Sequence, residues 1–125
     1  MSPSFSSRVL AWFAQPDDAV RAAELMASCE EAWASNERGN QDAVMRFVFF
    51  RRDPVGFPYL ASGLSSSDPA TAIQAVGYVA SLIIDGLDFH EDVHRALMDC
   101  AKRYPDLRPL VEYVAAIRGR PDKTL

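Results

Sequence analysis

Apolar residues recur every three to four positions along most of the chain, which is the spacing of one face of an α-helix. The clearest example runs from about Pro16 to Ser35. Its apolar line consists of Ala22, Met26, Cys29 and Trp33. Similar lines extend from about Phe89 to Tyr104 and from about Leu107 to Arg118. These segments are predicted to be amphipathic helices that share one apolar core.

Aspartate and proline mark most of the predicted helix starts. Each pair places a side-chain acceptor beside a residue with a preset φ, where the first N–H groups of a helix lack partners. The pairs are Pro16-Asp17-Asp18, Asp53-Pro54, Asp68-Pro69 and Pro105-Asp106. Together with Asn40 and Asp88 they divide the chain into six to seven short helices. The first is predicted from about Ser4 to Ala14 and the fifth from about Pro69 to Asp85.

The fifth predicted helix has no charged residue before its end, so we expect it to be the central and most buried element. Its apolar side chains include Ile73, Val76, Val79 and Ile84. Gly77 is expected to let a neighbouring helix approach closely. In the last helix, the side chains expected to be buried are Leu110, Val111, Val114 and Ile117.

The segment from Asp42 to Arg52 is the hardest to assign. Its nearly continuous run of β-branched and aromatic residues fits a buried strand as well as a buried helix. A helix is favoured because the chain offers no convincing second strand, and an isolated strand leaves its backbone groups unpaired. The polar stretch from Asn36 to Asn40, which contains Gly39, is predicted to be a turn.

A chain of 125 residues is of the usual length for one domain. We therefore predict a single all-α domain over residues 1–125, built as an irregular helical bundle with a frayed tail at residues 119–125. The spacing of proline and aspartate keeps a second arrangement open, in which helical hairpins stack as in HEAT repeats.

Composition and charge narrow the classes of partner. The chain is 49% hydrophobic and 24% charged, as in an average globular protein, and its net charge is −4. Nonspecific nucleic-acid affinity comes from clustered lysine and arginine, so no nucleic-acid partner is expected. No apolar segment resembles a signal peptide or a membrane span, which predicts a cytoplasmic protein without a membrane partner. Cys29 and Cys100 fall on apolar helix faces, which predicts two buried thiols.

One short motif carries candidate chemistry. His90, Glu91 and His94 have the H-E-x-x-H spacing of zinc proteases. In those enzymes two imidazoles one helical turn apart bind the metal, and the glutamate acts as a base on its bound water. Glu112 on the next predicted helix is a candidate third ligand. A small zinc hydrolase is therefore the alternative function.

Other features of the same stretch favour an interpretation without catalysis. Asp88 and Glu91 have the D-x-x-E spacing of an N-terminal capping box, which explains the glutamate as part of a helix start. The apolar line of this helix passes beside the two histidines, so both are expected at the edge of the core or beyond it. We expect no catalytic residue, no cofactor and no bound metal.

A protein partner is the remaining expectation, because aromatic residues and arginine are the types that anchor interfaces. Two regions are predicted to contact the partner: the irregular segment after the third helix and the acidic side of the second helix. Their candidate residues are Glu24, Glu30, Glu31, Arg51, Arg52, Phe57 and Tyr59. The predicted function is a non-catalytic protein-binding domain of the immunity or chaperone type, which masks a toxin or secreted effector.

Overall fold

Seven α-helices account for most of the residues that the computed structural model describes, which are 4–15, 17–35 and 37–118. No β-strand occurs within these ranges. The helices are α1 (Phe5–Ala14), α2 (Ala19–Ala34), α3 (Arg38–Arg51), α4 (Phe57–Leu64), α5 (Pro69–Ile84), α6 (Glu91–Arg103) and α7 (Arg108–Arg118). A 3₁₀ turn precedes α4 at Pro54–Gly56, and another precedes α7 at Pro105–Leu107. The predicted all-α bundle is confirmed; the predicted frayed tail, residues 119–125, lies outside the described residues.

Side-chain caps explain where two of the central helices begin. Asp18 Oδ1 accepts a hydrogen bond from the Arg21 N–H at 3.0 Å, at the start of α2. Asp68 Oδ1 accepts one from the Ala70 N–H at 3.0 Å, at the start of α5. Each bond satisfies an N–H that has no partner inside its helix. The helix starts predicted from these two aspartates are therefore confirmed.

The segment left open between helix and strand is helical, and its helix, α3, begins earlier than predicted. Arg38 is the first residue of α3, so the turn predicted over Asn36–Asn40 is wrong from Arg38 onward. The side chain of Gln41 helps to hold this polar start, because its Nε2 donates to the Trp33 carbonyl at 3.0 Å. A hydrogen bond back to α2 offsets the poor helix propensity of the glycine and asparagine in the first turn.

The helices fall into two compact units, divided between Tyr59 and Leu60. In the first unit, α1, α2 and α3 each pack against the other two, and Leu25 and Phe47 are fully buried. In the second unit, α5, α6 and α7 likewise each pack against the other two, with Val76 fully buried. Each unit thus contains three helices that pack against one another. The single domain and the HEAT-like stacking of hairpins stay predictions.

The helix α5 packs against α6 and α7, but Ile73, Ile84 and Leu110, which were expected to be buried in this unit, are exposed. Val76 and Val79 have no exposed surface, whereas Ile73 and Ile84 are each 48% exposed. Leu110 in α7 is 37% exposed. The prediction that these last three side chains are buried is wrong. The helix α5 is apolar on most of its sides, but the neighbouring helices cover only one of them. The covered face is rich in alanine.

Two glycines differ in how closely other atoms approach them. Gly77 is exposed, and no described atom beyond its own helix backbone and its neighbours lies within 4 Å of the position of a Cβ. The close approach predicted at Gly77 is therefore wrong. Gly56 does allow one, because a Cβ there would lie 2.5 Å from Val48 Cγ2. The 3₁₀ turn thus packs directly on α3 immediately before α4 begins.

Candidate functional site

The H-E-x-x-H segment begins α6 instead of lying within it. His90 is the N-cap residue, with non-helical backbone angles of φ −59° and ψ 151°, and Glu91 is the first residue of the helix. The Nδ1 atom of His90 accepts a hydrogen bond from the Asp92 N–H at 3.2 Å. The predicted capping box from Asp88 to Glu91 is therefore wrong, because the imidazole of His90 supplies the acceptor that Asp88 was expected to supply.

His94 is buried, in contrast to the position predicted at or beyond the edge of the core. Its side chain lies in the second turn of α6 and is only 8% exposed. On one side it lines a groove of about 300 Å³ with Val111 and Ala115 of α7. On the other side it lines a smaller cavity with Leu87, in the turn that follows α5. Residues distant in sequence thus cover a histidine that lies off the apolar line of its own helix.

The four residues that the alternative zinc hydrolase would use, His90, Glu91, His94 and Glu112, do not form a metal site. The side chain of His90 is 77% exposed at the helix start, whereas His94 is buried one turn later. Glu112 is exposed on α7, where its Oε1 lies 3.4 Å from Arg108 Nε. Across residues 4–15, 17–35 and 37–118, no three His, Cys, Asp or Glu side chains are grouped so that they could hold a metal ion. Two imidazoles one helical turn apart can reach one metal ion only if both residues have helical backbone angles. His90 is the N-cap residue and does not have them.

Two segments predicted to contact a partner meet in the first unit. Tyr59 of α4 lies beside the second half of α2, where its ring centroid is 5.8 Å from that of Trp33 and the ring planes make an angle of 47°. Both side chains are half-buried. Glu30, on the same part of α2, is exposed. We call Trp33, Tyr59 and Glu30 the Tyr59 cluster.

Electrostatics support the proximity of Glu30 and Tyr59. Burial raises the pKa of the Tyr59 hydroxyl above its ordinary value, and the electrostatic influence of nearby Cys29 and Glu30 raises this pKa further. The hydroxyl therefore keeps its proton at neutral pH, and it is available as a hydrogen-bond donor. The Tyr59 cluster thus combines two aromatic rings, a donor and a carboxylate on one part of the surface.

Cys29 lies beneath this cluster as a structural thiol. It is a free, fully buried cysteine whose Sγ donates to the Leu25 carbonyl at 3.3 Å. Burial raises the pKa of its thiol to about 11. A protonated thiol is a poor nucleophile, so Cys29 contributes packing to the cluster. The predicted burial of both Cys29 and Cys100 is confirmed.

The remaining acidic residues and Phe57 occupy other positions in the first unit. Glu24 and Glu31 are seven residues apart on α2 and share one side of the helix, while Glu30 is about 100° away from Glu31. Glu24 lines a groove of about 320 Å³ together with Arg8 of α1. Phe57 is half-buried and precedes Tyr59 by two residues of α4, which places the two rings on different sides of that helix. The predicted acidic side of α2 is thus divided into two.

Arg51 and Arg52 lie together at the exposed end of α3. Arg51 is the last residue of the helix, and Arg52 caps it in the left-handed conformation, with φ 54° and ψ 33°. The Arg52 N–H donates to the Val48 carbonyl at 2.8 Å, which closes the final turn. The end of α3 is therefore defined by a left-handed cap and a backbone hydrogen bond.

A row of packed aromatic rings connects the core to the surface beside these arginines. Trp12 packs edge-on against buried Phe47 at a centroid distance of 4.9 Å and contacts Phe13 at 5.1 Å. Phe13 packs edge-on against Phe50, and Phe50 against Phe49, each at 5.1 Å. Phe50 is 59% exposed. The sequence had assigned these aromatic residues to core volume, and for Phe50 that assignment is wrong.

Comparison with known proteins adds no identity to this geometry. Among the described helices, none combines the length and the hydropathy that crossing a membrane requires. The chain matches no protein-family model, no curated protein and no solved structure.

Proposed function

We propose that this chain is a non-catalytic protein-binding domain, and that it contacts its partner through the Tyr59 cluster of the first unit. Masking of the partner, as immunity proteins and chaperones do, is the concrete form of this proposal. The observation that carries it is the meeting of Trp33, Tyr59 and Glu30 on a surface built from α2 and α4.

The composition of the cluster favours a protein as the ligand. Tyrosine and tryptophan are enriched at interfaces because they bury a large apolar area while the hydroxyl or the indole N–H makes a hydrogen bond. Packing of the two rings against each other limits their rotamers, so less side-chain entropy is lost on binding. The Glu30 carboxylate adds a charge that can select a basic group on the partner.

The other predicted contact residues lie around this centre or away from it. Glu31 adjoins Glu30 in sequence, whereas Glu24 lies in the groove beside Arg8. We assign the principal contribution to the Tyr59 cluster because central, partly buried aromatic residues contribute more binding energy than exposed charges at a rim.

The test is recovery of a partner from the native cell, followed by affinity measurement with purified variants. We expect Tyr59→Ala to weaken binding by about 2 kcal/mol, which is roughly thirtyfold in Kd. Tyr113→Ala is the matched control, because Tyr113 is an exposed tyrosine of the second unit. The proposal fails if Tyr59→Ala and Tyr113→Ala bind the partner equally well, or if no protein is recovered and a small molecule co-purifies instead.

A further inference from the structure

A polar groove of about 460 Å³ lies in the second unit, between α6 and the loop that joins α4 to α5. Its α6 wall is one side of the helix, because the charged residues there recur every three or four positions. They are Asp92, Arg95, Asp99 and Arg103. Ser65 lines the groove from the loop. One hydroxyl therefore shares this groove with two carboxylates and two guanidinium groups.

Three of the four charged residues in this groove form ion pairs, and Arg103 does not. Asp92 Oδ1 lies 3.4 Å from Arg95 Nη1. Asp99 Oδ1 lies 3.9 Å from Lys102 Nζ. Within residues 4–15, 17–35 and 37–118, Arg103 pairs with no carboxylate, and its guanidinium donates to backbone carbonyls instead. The positive charge of Arg103 is therefore available to an anionic group in the groove.

The contacts of Arg103 place its guanidinium beside Ser65. It donates to the carbonyl of Leu64, which precedes this serine, and at 3.1 Å to the carbonyl of Ser66, which follows it. Burial raises the pKa of the Cys100 thiol, and the charge of Arg103 and a hydrogen bond with it oppose this rise. A guanidinium carries five N–H groups, so these contacts leave donors for a further acceptor.

Ser65 differs from the other two serines of its loop. It is exposed, and its hydroxyl makes no hydrogen bond within the part of the chain that the structure describes. Ser66 is half-buried, and its Oγ accepts a hydrogen bond from the Asp68 N–H at 3.1 Å. Ser67 is exposed but does not line the groove. Ser65 alone thus combines an accessible hydroxyl with a neighbouring guanidinium that has no carboxylate partner.

We propose that Ser65 is a phosphorylation site whose phosphate binds Arg103 and Arg95 across the groove. A protein kinase transfers the terminal phosphoryl group of a nucleoside triphosphate to Ser65 Oγ. The new bond joins Oγ to phosphorus, and the bond from phosphorus to the bridging oxygen breaks. The hydroxyl proton passes to a base of the kinase, and the nucleoside diphosphate leaves.

The phosphate suits this groove because it carries a charge of about −1.5 to −2 at pH 7 and three acceptor oxygens. Bonds from an arginine to such oxygens are charge-assisted and short. Arg95 can join Arg103 at little cost, since its pair with Asp92 is exposed and such pairs contribute little. The phosphate then ties the loop after α4 to α6. This inference goes beyond the proposed function, because it concerns the second unit and needs no partner protein.

Mass spectrometry of the chain purified from its native cell in the presence of phosphatase inhibitors is the first test. We expect phosphate on Ser65 that a phosphatase removes. Ser67 is the matched control, because it is an exposed serine of the same loop outside the groove. Absence of phosphate from Ser65, or equal occupancy of Ser65 and Ser67, overturns the proposal.

The second test measures the environment of the phosphate by ³¹P NMR, with phosphoserine incorporated at position 65 or at position 67 during synthesis. The second pKa of a phosphoserine is about 6. We expect it to be at least about 0.5 lower at position 65 than at position 67, because a neighbouring guanidinium favours the doubly charged form. Arg103→Gln should abolish most of this difference, and Arg95→Gln should reduce it.

Arg108→Gln is the control, because Arg108 is an exposed arginine of α7 that does not line the groove, and it should leave the phosphate pKa unchanged. Arg95→Gln removes no bond to the end of α4, so it keeps the test decisive if Arg103→Gln does not fold. Equal phosphate pKa values at the two positions overturn the proposal, and so does a value at position 65 that neither groove variant changes. Submillimolar binding of free inorganic phosphate beside Ser65 in the unmodified protein would show a site for a free anion instead.

Discussion

Gly56→Ala is predicted to destabilise the first unit, because it inserts a methyl group where the 3₁₀ turn packs on α3. The added Cβ would lie 2.5 Å from Val48 Cγ2, 2.9 Å from Cγ1 and 3.2 Å from Cβ. All three distances are shorter than ordinary van der Waals contact. Rotation of the valine cannot relieve them together, since its Cβ and both methyl groups are close and β-branched side chains are stiff at χ1.

The magnitude follows from the cost of overpacking. Val48 is fully buried, so it has no free space into which to move, and overpacking of a well-packed core costs about 1–3 kcal/mol. Replacing glycine also lowers the entropy of the unfolded chain, which returns about 0.5 kcal/mol. We therefore expect a net loss of about 0.5–2.5 kcal/mol in the free energy of unfolding.

Gly77→Ala is the matched control with the opposite sign. Gly77 lies inside α5, is exposed, and has open space where the methyl group would be placed. The same chemical change should there raise the free energy of unfolding by about 0.5–1 kcal/mol, because alanine is the better helix former.

Urea denaturation followed by circular dichroism at 222 nm measures both changes. The order of the transition midpoints should be Gly77→Ala, then wild type, then Gly56→Ala, with similar dependence on urea concentration. A Gly56→Ala protein as stable as the wild type would show that the 3₁₀ turn does not pack on Val48 as described. The placement of α4, and with it the Tyr59 cluster, would then be in doubt.

Three further substitutions test local features. Arg52→Gly should have a free energy of unfolding about 0.5–1 kcal/mol higher than Arg52→Ala in thermal melts, because both lack the side chain and glycine adopts the positive φ with less strain than alanine. Burial raises the pKa of Cys29 from 9.0 to about 11. The protonated thiol therefore contributes its full stabilisation below pH 9, and the free energy of unfolding falls by up to roughly 2 kcal/mol as the pH rises to 11. In urea titrations across that range, Cys29→Ala should make this fall shallower. Asp18→Ala should lower the free energy of unfolding by about 1 kcal/mol through loss of the N-cap. The control, Asp17→Ala, should change it by less than about 0.5 kcal/mol. Equal effects of the two substitutions would contradict the capping geometry.

The parts of the fold that could be predicted from the sequence are those fixed by local chemistry. Asp18 and Asp68 mark helix starts because a side-chain oxygen and a nearby N–H are enough to define a cap. The choice of helix over strand for the segment ending at Arg52 was also correct, since no second strand was available to pair with it. The caps join atoms that are two or three residues apart, and a helix likewise pairs its backbone within its own segment, whereas a strand needs a partner elsewhere in the chain.

The parts that could not be predicted depend on residues distant in sequence. His94 lies off the apolar line of α6, and it is buried only because α7 and the turn after α5 cover it. Ile73 and Ile84 fit a buried helix in sequence, but which sides of α5 are covered depends on its neighbours. Periodicity identifies an apolar face without showing how wide a face the neighbouring helices will cover.

The candidate site follows the same division. Tyr59 and Glu30 were each assigned to a contact region, but their proximity, and the inclusion of Trp33, required the contact between the Tyr59 and Trp33 rings. The exposed position of Phe50 and its contact with Phe13 were missed because this contact joins α1 to α3, and the aromatic run in α3 alone resembles core sequence. Residue type indicated an interface, and only tertiary structure located it.

Arg103 makes the end of α4 dependent on a helix formed much later in the chain. Its guanidinium donates to the Leu64 carbonyl and, at 3.1 Å, to the Ser66 carbonyl, over separations of 39 and 37 residues. Carbonyl groups at a helix end have no partner within the helix. The Leu64 and Ser66 carbonyls gain Arg103 as a partner only after α5 and α6 have folded and brought its guanidinium close to them. Closing so long a loop slows the formation of this contact. The Arg103 bonds at the end of α4 are therefore expected to form late in folding, after local bonds from the Ser65 and Ser66 N–H groups to the Ser62 and Gly63 carbonyls have closed its last turn.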